Sequence, residues 1–196
     1  VCLASPLRDV YKRQLPPKHP YAKVVVTPAG QIQPQTWLLG SSGQSAAWAG
    51  DQGMDYAYAQ FFTGRQDTGI MDHYRAHLSD GFPGRTLSAV CVSAAPTRQE
   101  ALEQSLMAAN FRVSLGTGRP VTFVTASQMD AETRSLLTSY VLSNEDTIFV
   151  GDYDEVADKL TAFQDAHHVD ELMLISYIDN VQTKVERYRQ LAKRLI

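Results

Sequence analysis

Cysteine occurs only twice in the 196 residues, at Cys2 and Cys91, and no CxxC pair exists. A structural zinc knot is thereby excluded, and a disulfide framework has no basis. No apolar run approaches the ~20 residues that cross a bilayer, which excludes a helical membrane span. Basic residues are in deficit: 18 Lys+Arg stand against 21 Asp+Glu, a formal net charge of −3. A duplex-binding surface needs concentrated positive charge to release counterions, so nucleic acid is not an expected partner. The most basic stretch (Arg187, Arg189, Lys193, Arg194) reads as the solvent face of a last helix. No secretory leader is expected in the stretch given, because Arg8 and Asp9 interrupt the place where an apolar run belongs. These absences point to a reducing cytoplasm.

What is present is an ordinary globular composition, 44% hydrophobic and 20% charged, with 12 Gly and 9 Pro. Residues 1–14 show neither a strand period nor a continuing helix face, and are expected to be a non-native or disordered leader. Residues 15–196 carry the fold. Residues 15–34 read as a loop with one short apolar run, Val24–Val26. Four short apolar strands are expected, at 36–39, 56–62, 86–94 and 171–177, of the kind buried on both faces of a parallel sheet. Helices are expected at 44–52, 70–80, 98–115, 130–142, 154–168 and 181–195. Thr97 and Glu100 have the spacing of a capping box. Strands alternating with helices imply an α/β parallel architecture, with one long helical excursion between the third and fourth strands.

The most informative stretch is WLLGSSGQSAAWAGDQGMDYAYAQFF, residues 37–62. It is a strand, a turn of small residues and a helix start. Ser41, Ser42, Gly43 and Ser45 fall where unpaired backbone N–H groups and the positive end of a helix face outward. Such a turn accepts a phosphate, although an N-cap alone would use the same residues. It is neither a P-loop nor a GxGxxG fingerprint. LGSSG is not a GxSxG nucleophile elbow either.

This block resembles the bacterial luciferase-like family of flavin-dependent monooxygenases. APTRQEAL after the third strand, VGDYDEVADKL and VDELMLIS agree with it in order, and the resemblance covers about residues 20–195. It implies a TIM (β/α)8 barrel that binds FMN, with reduced flavin supplied by a separate reductase and O2 as co-substrate. It implies that the flavin phosphate rests on the Ser41, Ser42 and Gly43 backbone and on the Ser42 and Ser45 hydroxyls. A complete barrel of this type needs ~250 residues. The chain is therefore expected to be the C-terminal half of the barrel, inactive alone, with its catalytic residues and dimer contacts in the missing half. The same fold also serves F420-dependent oxidoreductases and non-enzymatic flavin-binding proteins, and a translated gene fragment without function is a further alternative.

Other candidates have plainer readings. His73 and His77 have i,i+4 spacing, but a solvent face is favoured over a metal site because no HExxH is present. His167 and His168 are expected to complement a helix C-terminus. Cys91 sits among apolar strand residues and is expected to be inert. Tyr56, Tyr58, Phe61 and Phe62 are expected in the core, with one or two at the strand end open to a flavin.

Overall fold

A computed structural model describes residues 16–23, 35–64, 67, 69–145 and 147–196. The leader expected at 1–14 and the Val24–Val26 run lie outside the described residues. The chain divides into two compact units, 1–36 and 37–196. In the first, His19 and Ala22 close successive turns by donating to the carbonyls of Pro16 and His19 at 2.8 and 2.9 Å.

The second unit alternates strands and helices: β1 (Trp37–Gly40), α1 (Gly43–Asp51), β2 (Asp55–Tyr58), α2 (Gln60–Thr63), α3 (Gly69–Ala76), β3 (Thr86–Ala95), α4 (Arg98–Thr117), α5 (Ala131–Leu142), β4 (Phe149–Asp152), α6 (Tyr153–His167), β5 (Glu171–Ile175) and α7 (Val181–Leu195). All strand pairs are parallel. The sheet runs β1-β2-β3, and β3 then serves two partners. Its first half pairs with β5, Leu87 opposite Glu171 through Cys91 opposite Ile175. Its last four residues pair with β4, Val92 opposite Phe149 through Ala95 opposite Asp152. Its ten residues, all but Leu87 small or β-branched, give β3 the length to do both. Among the described residues, no helix is long and apolar enough to cross a membrane.

Strand side chains alternate between two faces. One face packs on helices. Tyr56 and Tyr58 join Ala46 and Ala49 of α1 and Met71 and Tyr74 of α3 in one cluster, with Leu38 packed against it. Val90, Val92 and Ala94 meet Val156, Leu160 and Phe163 of α6 and Leu191 of α7 in a second. On the opposite face two residues of singly paired strands are open to water. On β1, Leu39 is 61% exposed, and on β5, Met173 is 52% exposed. Among the described residues, β1 pairs only with β2 and β5 only with β3.

The structure corrects several sequence expectations. The run YAYAQFF is not one strand: β2 stops at Tyr58 and a helical turn, α2, begins at Gln60. Gly40 accepts the Ala59 N–H at 2.8 Å, and the buried Gln60 amide donates to the Thr147 carbonyl at 3.0 Å, which turns the chain. Phe62 is left 50% exposed. A fifth strand, β4, was not anticipated, since only Phe149 and Val150 precede its Gly-Asp end. Helix α3 ends at Ala76, short of residue 80, and the Ser79 N–H instead donates to the Gly50 carbonyl. Thr97 caps α4 by accepting from the Glu100 N–H at 3.2 Å, but the Glu100 carboxylate does not complete the expected capping box.

Candidate functional site

The turn after β1 is built by two serines that cap each other. Ser42 is the N-cap of α1 with extended backbone, φ −138° and ψ 155°. Its hydroxyl accepts from the Ser45 N–H at 3.3 Å, and the Ser45 hydroxyl accepts from the Ser42 N–H at 3.3 Å. The Ser45 hydroxyl also donates to the Ser42 carbonyl at 2.7 Å. This box fixes the chain as it leaves the strand. Gly40 is required next to it. A Cβ at that position would stand 2.2 Å from Ser45 Oγ.

Tyr56 supports the turn from the next strand. Its hydroxyl lies 3.1 Å from Ser45 Oγ and donates to the Ser42 carbonyl at 3.4 Å. Burial pushes the Tyr56 phenol above its ordinary range, so it stays a neutral donor. The sequence reading had placed Tyr56 in the core, and its ring is there. Its hydroxyl is the supporting group that sequence reasoning missed. Alternation along β2 would have put it on the α1 side, but only the register Leu38 opposite Tyr56 sets it under the turn.

With the capping box formed, the N–H groups of Gly43 and Gln44, the first two helical residues, have no acceptor within the helix. No acidic residue stands in the first turn of α1. Ser42 is exposed and Ser41 and Gly43 are half-buried, so the helix end is open to an approaching anion. The imidazole of His73 flanks it: a Cβ on Gly43 would lie 3.4 Å from His73 Cδ2. Ser41, Ser42, Gly43 and Ser45 are thus brought together, with the Ser45 hydroxyl turned inward as a brace. Open helix-start N–H groups of this kind suit a small anion such as a phosphate.

The remaining candidates sit apart. The rings of His73 and His77 are 4.4 Å apart, and His77 Nδ1 is 2.8 Å from the His73 carbonyl. Among the described residues, no group of three or more His, Cys, Asp or Glu is placed to hold a metal ion. Cys91 is buried, and burial pushes its thiol up to about 11. His167 differs from its expected role as a helix-end cation. It is 2% exposed, stacked on Phe163 at 3.9 Å, and burial pushes its pKa down. His168 takes the left-handed C-cap position instead, φ 51°. At the C-terminal end of β5, Tyr177 stands 5.7 Å from Phe111 and 6.0 Å from Phe123, ring centre to ring centre.

No protein-family model matches the chain. Its curated relatives include two proteins of Bacillus subtilis (strain 168). One is the uncharacterised protein YwcH, 28% identical over 182 residues, covering 89% of this chain and 54% of that protein. The other is N-acetyl-S-alkylcysteine monooxygenase, 26% identical over 195 residues, covering 97% of this chain and 58% of that protein. The chain therefore spans little more than half the length of the curated relatives it matches. Among solved structures, apo-MsnO8 superposes with a TM-score of 0.74 at 29% identity, covering 97% of this chain and 58% of that one. A type II Baeyer-Villiger monooxygenase from Pseudomonas putida, in complex with FMN, shares the fold (TM-score 0.54, 16% identity), covering 86% of this chain and 50% of that one. The chain thus has the parallel α/β fold of a flavin monooxygenase neighbour and sequence similarity to a monooxygenase.

Proposed function

We propose that this chain is the C-terminal half of a luciferase-like, FMN-dependent monooxygenase. The observation that carries the reading is its similarity to N-acetyl-S-alkylcysteine monooxygenase along 97% of its length, against 58% of that enzyme. The single pairing of β1 and of β5 among the described residues supports it, since a wall of parallel strands with bare edges needs further strands to close. In the complete protein the other half-barrel pairs with β1 and β5 and brings the catalytic residues and the contacts of a homodimer. The chain alone is inactive on this reading, and it belongs in a reducing cytoplasm.

The role of the present residues is to hold and orient. The bare N–H groups of Gly43 and Gln44, the Ser41 backbone and the Ser42 hydroxyl take the phosphate, while Ser45 and Tyr56 keep the turn in shape. When bound, reduced FMN from a separate reductase supplies the activation of O2 and the transfer of one oxygen to a small organic substrate. The protein contributes binding, orientation and exclusion of water.

The test uses the complete reading frame. Ser42→Ala combined with Ser45→Ala removes the capping box and is expected to weaken FMN at least about tenfold in a fluorescence titration. Ser42→Asp separates binding from folding: aspartate is a good N-cap, so the fold stays, but its charge repels a phosphate. Unchanged FMN affinity in Ser42→Asp would remove the site assignment. Preferential binding of F420 over FMN, or flavin binding without O2 consumption, would replace the monooxygenase by a deazaflavin oxidoreductase or a non-enzymatic flavin binder.

A further inference from the structure

Helix α3 lies against α1 and brings a histidine to its first turn. Met71 and Tyr74 of α3 are fully buried in one cluster with Ala46 and Ala49 of α1. The two backbones approach so closely that a Cβ on Gly50 would stand 2.7 Å from the His77 carbonyl oxygen and 2.9 Å from that of Tyr74. A residue without a side chain is what permits this separation. The packing fixes where α3 presents its outer face, and His73 stands on that face, exposed. Its Cδ2 and Nε2 are the ring atoms nearest to Gly43: a Cβ there would lie 3.4 Å from Cδ2 and 3.8 Å from Nε2.

The ring is held in place, yet its nitrogens are not used. The His77 imidazole packs on it at 4.4 Å between ring centres, and His77 Nδ1 donates to the His73 carbonyl at 2.8 Å. Among the described residues, neither ring nitrogen of His73 has a hydrogen-bond partner, and no carboxylate stands within 4 Å of the ring. Asp72, the acid next to it in sequence, pairs with Arg75 at 3.4 Å. An uncommitted imidazole thus sits beside helix-start N–H groups that have no acceptor in their own helix. A metal ion does not suit this place. The positive end of α1 opposes a cation, and among the described residues no third ligand joins the two histidines.

We propose that His73 is a further binding residue for the flavin phosphate. The inference rests on the flavin reading of the Ser42 turn and adds to it a donor from a second helix. The N–H groups of Gly43 and Gln44 and the Ser42 hydroxyl meet the phosphate from α1, and the His73 Nε2–H meets it from the side of Gly43. Residues 40–45 contain neither lysine nor arginine, so the turn itself offers the anion only neutral donors. A hydrogen bond from an imidazole to a phosphate is charge-assisted and stronger than one between neutral groups. The ring needs little ordering on binding, because the α1–α3 packing and the His77 ring already hold it.

Fluorescence titration of the complete reading frame tests this with two probes, FMN and riboflavin, which lacks the phosphate. His73→Leu removes the donor and leaves a good helix former at an exposed position, so the fold is kept. It is expected to weaken FMN about tenfold and to leave riboflavin unchanged, so that the preference for FMN shrinks by the same factor. Ser42→Asp, which tests the turn itself, is expected to lose FMN as well. If Ser42→Asp loses FMN while His73→Leu binds it like the parent, the proposal is overturned and the turn stands without the histidine. If His73→Leu weakens FMN and riboflavin equally, the histidine only shapes the fold, and the proposal is again overturned. If neither variant changes FMN binding, the phosphate lies elsewhere, and the site assignment falls together with the proposal.

Discussion

The phenol oxygen of Tyr56 lies 3.1 Å from the hydroxyl of Ser45, eleven residues earlier and on the far side of the β1–α1 turn. It ties the helix start to the neighbouring strand, so the turn is held by tertiary structure as well as by its own capping box. Tyr56→Phe keeps the ring packing and removes only this tie. The expected loss is about 1 kcal/mol of stability, read by urea unfolding, together with weaker FMN binding by the complete protein. A phenylalanine variant that unfolds and binds like the parent would show that the hydroxyl does not organise the turn.

Gly40 makes a sharper case. Ser45 Cβ would lie 2.5 Å from a methyl group at this position, closer than real Cβ contacts allow. Gly40→Ala must therefore push Ser45 out of the capping box. A destabilisation of about 1–3 kcal/mol is expected from forced overpacking, measured as a lower thermal midpoint. Gly81 is the control: it has positive φ, but an added Cβ there meets nothing within 4 Å. Gly81→Ala should cost only its backbone strain, about 1 kcal/mol.

How much was legible from sequence follows from the range of the forces involved. The β1–turn–α1 site was legible because capping is local: Ser42 and Ser45 act within one helical turn. Tyr56 was not, because its part depends on the pairing register of two strands. The other four strand segments were found from their apolar runs, although Phe61 and Phe62 extended one of them too far. Strand β4 is as long as β1 and β2, but half of it is the Gly-Asp pair that reads as a helix start, so its apolar part is too short to be seen. His167 was misplaced for a related reason. A histidine at a helix end reads as solvated, but His167 lies one turn after Phe163 on the buried face of α6, and its ring stacks there.

His167 also makes the fold sensitive to acid. Its Nδ1 is 2.9 Å from the Phe163 carbonyl, so that nitrogen carries the proton, and Nε2 is buried without a partner. Burial sets the folded pKa below the ordinary histidine value of 6.5, with the unfolded chain near that value. As pH falls below 6.5 the unfolded chain therefore binds a proton first, and stability is lost until the pH passes the folded pKa. His167→Gln should flatten this part of the profile while leaving the carboxylate titrations at lower pH. Urea unfolding of both proteins between pH 7.5 and about pH 5 measures the difference, and identical slopes would mean that His167 takes no part.

The exposed residues of the two edge strands test the half-barrel reading directly. Leu39 on β1 and Met173 on β5 lie on the face opposite the helix-packed clusters, and in-register neighbours on that face, Ala57 and Ala89, are buried. In a closed barrel that face is filled by layers of side chains. Leu39→Lys and Met173→Lys should change the stability of the 196-residue chain by no more than about 0.5 kcal/mol, because both positions are open to water. They should also reduce its self-association, since a charge on an open edge opposes strand-to-strand pairing. In the complete reading frame the same lysines would be sealed inside without a counter-charge, at a cost of about 3 kcal/mol or more each. Parallel unfolding curves for the short and long chains decide the matter. If the long chain tolerates both lysines as well as the short one does, these edges are not the seams of a closed barrel.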